Sequence, residues 1–152
     1  MFRVLQIDHV ELFVPDRYEA ARWYERVLGL RIVPEYETWA TGGGPLMIST
    51  DEGDTKLALF EGIPAPPQAR TAAFHRVAFR VTADGFNEFL SRLPDFRLTG
   101  ANDQPVTRKS VVDHQKAYSI YFSDPYGHRL EVTTYEYEAT RTALTRVRKD
   151  AH

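Results

Sequence analysis

The order of predicted secondary-structure elements in this chain occurs twice, and this repetition constrains the fold more than any other feature. A strand, a helix and three short strands are predicted up to about residue 62, and the same order returns from about residue 74. The local sequences agree with it, since DHVELFV at residues 8–14 resembles FHRVAFR at residues 74–80. A chain of 152 residues holds both modules within one domain of ordinary size. We therefore expect a single domain built by internal duplication.

Module one, about residues 4–62, begins with an alternating pattern that predicts a strand over Val4–Val14. Asp16 followed by Glu19 is a typical helix start, and Gly29 is a typical helix end. Three short strands are predicted after this helix, over Leu30–Tyr36, Leu46–Thr50 and Lys56–Phe60.

Residues 62–73 are predicted to form a linker, because the segment GIPAPPQAR is rich in proline and alanine. Module two, about residues 74–136, then begins with a predicted strand over Phe74–Val81 and a helix over Ala83–Leu93 that Pro94 stops. Its three short strands are predicted over Phe96–Thr99, Ser119–Phe122 and Arg129–Tyr135. Residues 137–152 are predicted to be a C-terminal tail, with a helix over Glu136–Lys149 that begins at the end of module two. This pattern predicts an α+β protein of paired βαβββ modules around a concave sheet.

Composition excludes several classes of protein. The chain has no cysteine, which rules out disulfides, thiolate metal sites and cysteine nucleophiles. Its 19 basic and 21 acidic residues argue against nucleic-acid binding, which usually requires a basic surface. No apolar run reaches the ~18 residues of a membrane span, and no signal peptide is evident. We therefore expect a cytoplasmic protein whose partner is a small molecule.

Three polar residues occupy matching places in the predicted strands. His9 opens the first strand of module one, His75 opens that of module two, and Glu131 lies in the last strand of module two. One such histidine alone is more often a packing residue, so the hypothesis rests on all three together. Two imidazoles and one carboxylate form a facial triad, which suits Fe(II) and also accepts Mn(II) or Zn(II). The fourth matching place is Ala58, which cannot bind a metal.

These residues, with the segment YFSDPYGHRLE at residues 121–131, resemble the vicinal oxygen chelate superfamily. It includes glyoxalase I, fosfomycin-resistance thiol transferases, bleomycin-resistance proteins and type I extradiol dioxygenases. The likeness extends from about Leu5 to Tyr135. It implies that the paired modules form a barrel-like mixed sheet, that His9, His75 and Glu131 bind one divalent metal, and that the protein is a homodimer.

A longer pattern resembles the extradiol ring-cleavage signature: residues 112–114, then Ile120 and Tyr121, then DPYG at residues 124–127. In that family the histidine is an acid/base near the bound substrate, and the tyrosine forms a hydrogen bond with a substrate oxygen. The resemblance implies these roles for His114 and Tyr121, with Fe(II) as the metal and a small vicinal diol such as a catechol as the substrate.

Other activities within the superfamily remain open. A glyoxalase-like lyase or a fosfomycin-type thiol transferase, with Zn(II) or Ni(II), is one alternative, and an antibiotic-binding protein without catalysis is another. The second catalytic histidine of extradiol enzymes would lie near residues 56–60, where Lys56 is the candidate to replace it. Glu11 shares a strand face with His9 and is a candidate for the pocket or for orienting an imidazole.

Overall fold

The computed structural model describes residues 7–62, 76–100 and 103–149. The chain forms two compact units, Met1–Thr71 and Ala72–His152, which contain modules one and two. Each unit has one mixed sheet of four strands together with helices, so the predicted α+β fold is confirmed. The expectation of a barrel-like sheet is wrong, because within the described ranges the strands form two separate open sheets. The predicted linker lies outside these ranges except for Gly62.

Module one has the strand order β1–β4–β3–β2, and β1 runs parallel to β4. Its elements are β1 (His9–Val14), α1 (Arg17–Leu28), β2 (Arg31–Ile32), a 3-10 turn (Pro34–Tyr36), α2 (Glu37–Thr41), β3 (Leu46–Ser49) and β4 (Lys56–Glu61). Helix α1 begins where the sequence predicts, because the Asp16 carboxylate accepts hydrogen bonds from the backbone N–H groups of Tyr18 and Glu19. It ends at Gly29, whose φ of 74° is accessible to glycine without strain.

The strand predicted over Leu30–Tyr36 is only two residues long in the structure, Arg31–Ile32. Pro34 has no backbone N–H to donate to a neighbouring strand, and its fixed φ favours the first position of a helical turn. The 3-10 turn starts at this proline and leads directly into α2, which the sequence analysis missed.

Module two repeats the topology with the order β5–β8–β7–β6, and β5 runs parallel to β8. Its elements are β5 (Val77–Arg80), α3 (Ala83–Phe96), a 3-10 turn (Arg108–Ser110), β6 (Val112–Asp113), β7 (Tyr118–Ser123), β8 (Arg129–Thr134) and α4 (Tyr137–Lys149). The duplication predicted from the order of elements is therefore present in the topology.

Two predictions for module two are wrong. Helix α3 does not stop at Pro94 but continues to Phe96, where buried aromatic packing with Phe89 favours one more turn. Because a proline near a helix C-terminus removes a single hydrogen bond, this packing outweighs the loss. The strand predicted over Phe96–Thr99 is reduced to isolated bridges at Thr99, and β6 takes its place as the fourth strand.

The sheet of module two has one apolar face and one polar face. Ile120, Phe122, Leu130 and Val132 are buried on the apolar face, and Phe89 of α3 packs against Phe122 with ring centroids 5.6 Å apart. Because side chains alternate along a strand, Tyr121 and Glu131 project from the opposite face. No helix in the described ranges is both long and apolar enough to cross a membrane.

Candidate functional site

The polar face of the module-two sheet holds most of the predicted catalytic residues. Tyr121 of β7 pairs directly with Glu131 of β8, and Glu131 also pairs with Ala78 of β5. Directly paired residues of neighbouring strands project to the same side of a sheet. Tyr121 and Glu131 are both half-buried, so this face presents a phenol and a carboxylate side by side.

His114 joins this face from the end of β6. Its Nε2 lies 2.8 Å from the hydroxyl oxygen of Tyr121, within hydrogen-bonding distance. The tight turn that follows β6 fixes this position, since the Asp113 carboxylate accepts a 2.7 Å hydrogen bond from the backbone N–H of Gln115. That bond is the main reason why the pKa of Asp113 lies below its ordinary value. The structure therefore brings His114, Tyr121 and Glu131 together.

Arg76 is a component that the sequence analysis missed. Its guanidinium carbon lies over the ring of Tyr121, 4.3 Å from the centroid. The side chains of Arg76 and Glu131 make no hydrogen bond or ion pair with any other residue in the described ranges. The signal in the sequence is alternation, since Arg76 stands two residues before Ala78 and therefore on the face of Glu131.

The strand registers show which residues of the two modules correspond. Glu11 pairs with Ala58 in module one, and Ala78 pairs with Glu131 in module two. Since Ala58 and Glu131 occupy matching places in the duplicated strands, Ala78 is the counterpart of Glu11.

Counting two residues back along each strand corrects the alignment of the two modules that the sequence suggested. His9 stands two residues before Glu11, and Arg76 stands two residues before Ala78. By register, the counterpart of His9 is therefore Arg76 and not His75. His75 itself lies outside the described residues, so its role as a metal ligand stays a prediction.

His9 is exposed, and a neighbouring carboxylate orients its imidazole. Its Nδ1 lies 2.7 Å from Oδ2 of Asp8, and its Nε2 lies 3.6 Å from Oε1 of Glu11. With the proton on Nδ1 donated to Asp8, Nε2 keeps a lone pair for another partner. Glu11 is exposed and close to this nitrogen, in agreement with the face predicted for it.

Lys56 is only 7% exposed, and its ammonium group is held inside module one. Its Nζ donates hydrogen bonds to Oδ1 of Asp8 at 3.0 Å and to the backbone oxygen of Gly53 at 2.6 Å. The pKa of Asp8 is lowered first by its hydrogen bond with His9 and then by the one from Lys56. Lys56 thus fixes Asp8, which in turn fixes the imidazole of His9.

The turn before β8 is also built by a histidine and a carboxylate. His128 is half-buried, with Nδ1 2.6 Å from Oδ2 of the buried Asp124. The other carboxylate oxygen of Asp124 accepts hydrogen bonds from the backbone N–H groups of Tyr126 and His128. This cluster holds the turn that leads into the strand of Glu131.

Comparison with known proteins identifies the family. Residues 6–132 match the family described as the Glyoxalase/Bleomycin resistance protein/Dioxygenase superfamily. This chain belongs to that superfamily. A search of curated protein sequences gave no significant match.

Solved structures of superfamily proteins share the fold. Oxidase ChaP-H2 is 24% identical, with a TM-score of 0.62 over 91% of this chain and 99% of the oxidase. A glyoxalase/dioxygenase from Nostoc punctiforme is 24% identical, with a TM-score of 0.59 over 86% of this chain and 90% of its own. The fosfomycin resistance protein FosX from Mesorhizobium loti is 20% identical, with a TM-score of 0.58 over 87% of this chain and 93% of its own.

Superfamily members commonly use a divalent metal, and two of the predicted donors suit one. His9 has its Nδ1 engaged by Asp8 and its Nε2 available, an arrangement typical of metal-binding histidines. Glu131 has carboxylate oxygens without a partner in the described ranges. These ranges contain no group of three or more His, Asp or Glu side chains that could hold an ion. The complete triad stays a prediction, since it needs His75.

Proposed function

We propose that this protein is a metal-dependent superfamily enzyme that carries out an extradiol-like oxygenation of a small aromatic vicinal diol, such as a catechol. The observation that carries the proposal is the 2.8 Å contact between Nε2 of His114 and the hydroxyl of Tyr121. These are the two residues that the ring-cleavage signature assigns to catalysis, and Glu131 lies beside them on the same face.

We assign the metal to His9, His75 and Glu131, contributed by one chain or by the two chains of a homodimer. Superfamily members are commonly dimeric, which supports the second arrangement. Fe(II), which we favour over Mn(II), Zn(II) or Ni(II), supplies Lewis-acid and redox chemistry when bound. Lys56 and Asp8 contribute by orienting His9, and Glu11 forms part of the pocket wall next to Nε2.

In this proposal Tyr121 and His114 move the proton. The Tyr121 hydroxyl oxygen accepts a hydrogen bond from one substrate hydroxyl and can receive its proton as the tyrosine's own proton leaves. Nε2 of His114 accepts the tyrosine proton at 2.8 Å, and an imidazole can return that proton near neutral pH. His114 is exposed, which gives the proton a path to solvent.

The test begins with protein purified without oxygen, loaded with Fe(II) and supplied with catechol while oxygen uptake is recorded. We expect Tyr121→Phe to lower kcat about 100-fold, the usual size of a lost general acid/base. Tyr135→Phe is the matched control, because Tyr135 also lies under an arginine, with Arg80 5.4 Å from its ring centroid. Equal rates for both variants, or no oxygen uptake by the iron-loaded wild type, would contradict the proposal.

Metal content is the second readout. Glu131→Ala should lose bound iron but remain folded, because its side chain has no partner among the described residues. Zinc or nickel in the native protein without oxygen uptake would instead favour a lyase or thiol transferase. Absence of any metal after reconstitution would favour the non-catalytic binding protein.

A further inference from the structure

We propose that Arg76 binds an anionic substituent of the substrate, so that the site selects aromatic compounds that carry a carboxylate. This deepens the proposed function by naming the substrate class. The anion site itself can be tested without metal or turnover.

Arg76 lies where it can reach a ligand bound beside Tyr121. Arg76 is the register counterpart of His9 and lies on the face that carries Tyr121 and Glu131. Its guanidinium sits 4.3 Å from the Tyr121 ring centroid, a cation–π contact. A guanidinium carries its N–H donors in a planar fork that matches a carboxylate, and the cation–π contact leaves these donors available for such a partner.

The charges on this face of the sheet favour an anionic ligand. Three arginines lie on this face by alternation, with one carboxylate among them: Arg76, Arg80, Arg129 and Glu131. In the described ranges no acidic side chain forms an ion pair with Arg76. The whole chain has a net charge of −2, so this face departs from the average charge of the molecule. An uncompensated guanidinium on such a face attracts anions.

The two ends of the Tyr121 side chain contact different groups. The hydroxyl of Tyr121 points to Nε2 of His114 and serves a neutral substrate oxygen, whereas Arg76 covers the ring. The carboxylate of Glu131, on the strand next to that of Tyr121, repels an anion that approaches it. A ligand with a hydroxyl at one end and a carboxylate at the other therefore has one favourable orientation on this face.

The direct test uses benzoate and its neutral analogue benzamide in NMR titrations of the metal-free protein. We expect the wild type to bind benzoate about tenfold more tightly, the usual size of a charge-assisted hydrogen bond. Arg76→Gln should remove this preference, and its fold should be unaffected because Arg76 is exposed. Arg80→Gln is the matched control, because Arg80 lies on the same strand and face over another tyrosine ring. Equal affinity of the wild type for both compounds, or the same loss in Arg80→Gln, would overturn the proposal.

Turnover separates this proposal from the proposed function. With iron-loaded enzyme, Arg76→Gln should raise KM for 3,4-dihydroxybenzoate about tenfold with little change in kcat. The rise in KM for catechol should be smaller, because catechol has no carboxylate for the guanidinium to bind. A benzoate preference without oxygen uptake on either diol would mean that the anion site stands and the dioxygenase proposal fails. Oxygen uptake on catechol without any benzoate preference would mean the reverse.

Discussion

The two modules share a topology but differ on the second face of their sheets. In module one Ala58 is 0% exposed and lies in an apolar cluster with Val33 and Met47. At the matching place in module two Glu131 is half-buried, beside the half-buried Tyr121. One face is therefore filled with hydrocarbon, and the other keeps polar groups within reach of a ligand.

The segment after β2 accounts for this difference. Tyr36, at the end of the 3-10 turn, packs against the cluster that contains Ala58, and it stacks on Trp39 of α2 with centroids 4.6 Å apart. Phe60 of β4 also packs against this cluster. A duplicated fold supplies two equivalent sheet faces, and filling one of them stabilises the scaffold. The other remains available for chemistry, which is why we place the proton-transfer residues on module two.

The largest change in the free energy of unfolding is expected when the residues at the matching places, Ala58 and Glu131, are exchanged. Ala58→Glu would bury a carboxylate among Val33 and Met47 without a partner, at a cost of about 3–5 kcal/mol in the free energy of unfolding. Glu131→Ala should change stability by no more than about 0.5 kcal/mol. Urea unfolding measures both, with Ala78→Glu as the control because Ala78 is exposed. Similar stability losses for Ala58→Glu and Ala78→Glu would show that the two faces do not differ as described.

A smaller difference is expected at the helix starts. The Asp16 carboxylate accepts hydrogen bonds from two backbone N–H groups of α1, so Asp16→Ala should cost about 1–2 kcal/mol. Thr82 accepts one from Gly85 at the start of α3, and the Glu136 carboxylate accepts another from Ala83 at 2.9 Å. Thr82→Ala should therefore cost less, about 0.5–1 kcal/mol. Thermal unfolding would contradict this reasoning if Thr82→Ala were the more damaging substitution.

The smallest effect is a loss of stability in acid to which both modules contribute. Hydrogen bonds lower the pKa of Asp51, first from the Ser49 hydroxyl, and that of Asp113, first from the Gln115 backbone N–H. Since both folded pKa values lie below 3.8, these bonds stabilise the protein fully above that pH, and the effect is lost as pH falls through the folded values. Asp51→Asn and Asp113→Asn should each flatten the acid decline of the urea midpoint. Parallel curves for variants and wild type would count against these bonds.

Much of the fold follows from local signals. Asp16 and Gly29 mark the ends of α1 because their own side-chain and backbone chemistry satisfies the helix termini. The errors fall where packing competes with those signals. Helix α3 passes Pro94 because Phe96 is buried, and β2 is short because Pro34 begins a turn.

The candidate site could be predicted in part. The resemblance to the ring-cleavage signature implied that His114 and Tyr121 belong to one site with Glu131, and the structure places the three on one face. Arg76 was missed because no motif contains it, and its partner Tyr121 is distant in sequence.

The sequence by itself determined the duplicated element order, the helix caps and the positions of the polar residues. Only the tertiary structure decided which residues correspond between modules, because side chains alternate along a strand and a shift of one residue moves a side chain to the opposite face. Strand pairing makes Arg76 the counterpart of His9, whereas the matched sequences suggested His75. Register is set by hydrogen bonds to a strand far along the chain, and a local sequence pattern does not contain that information.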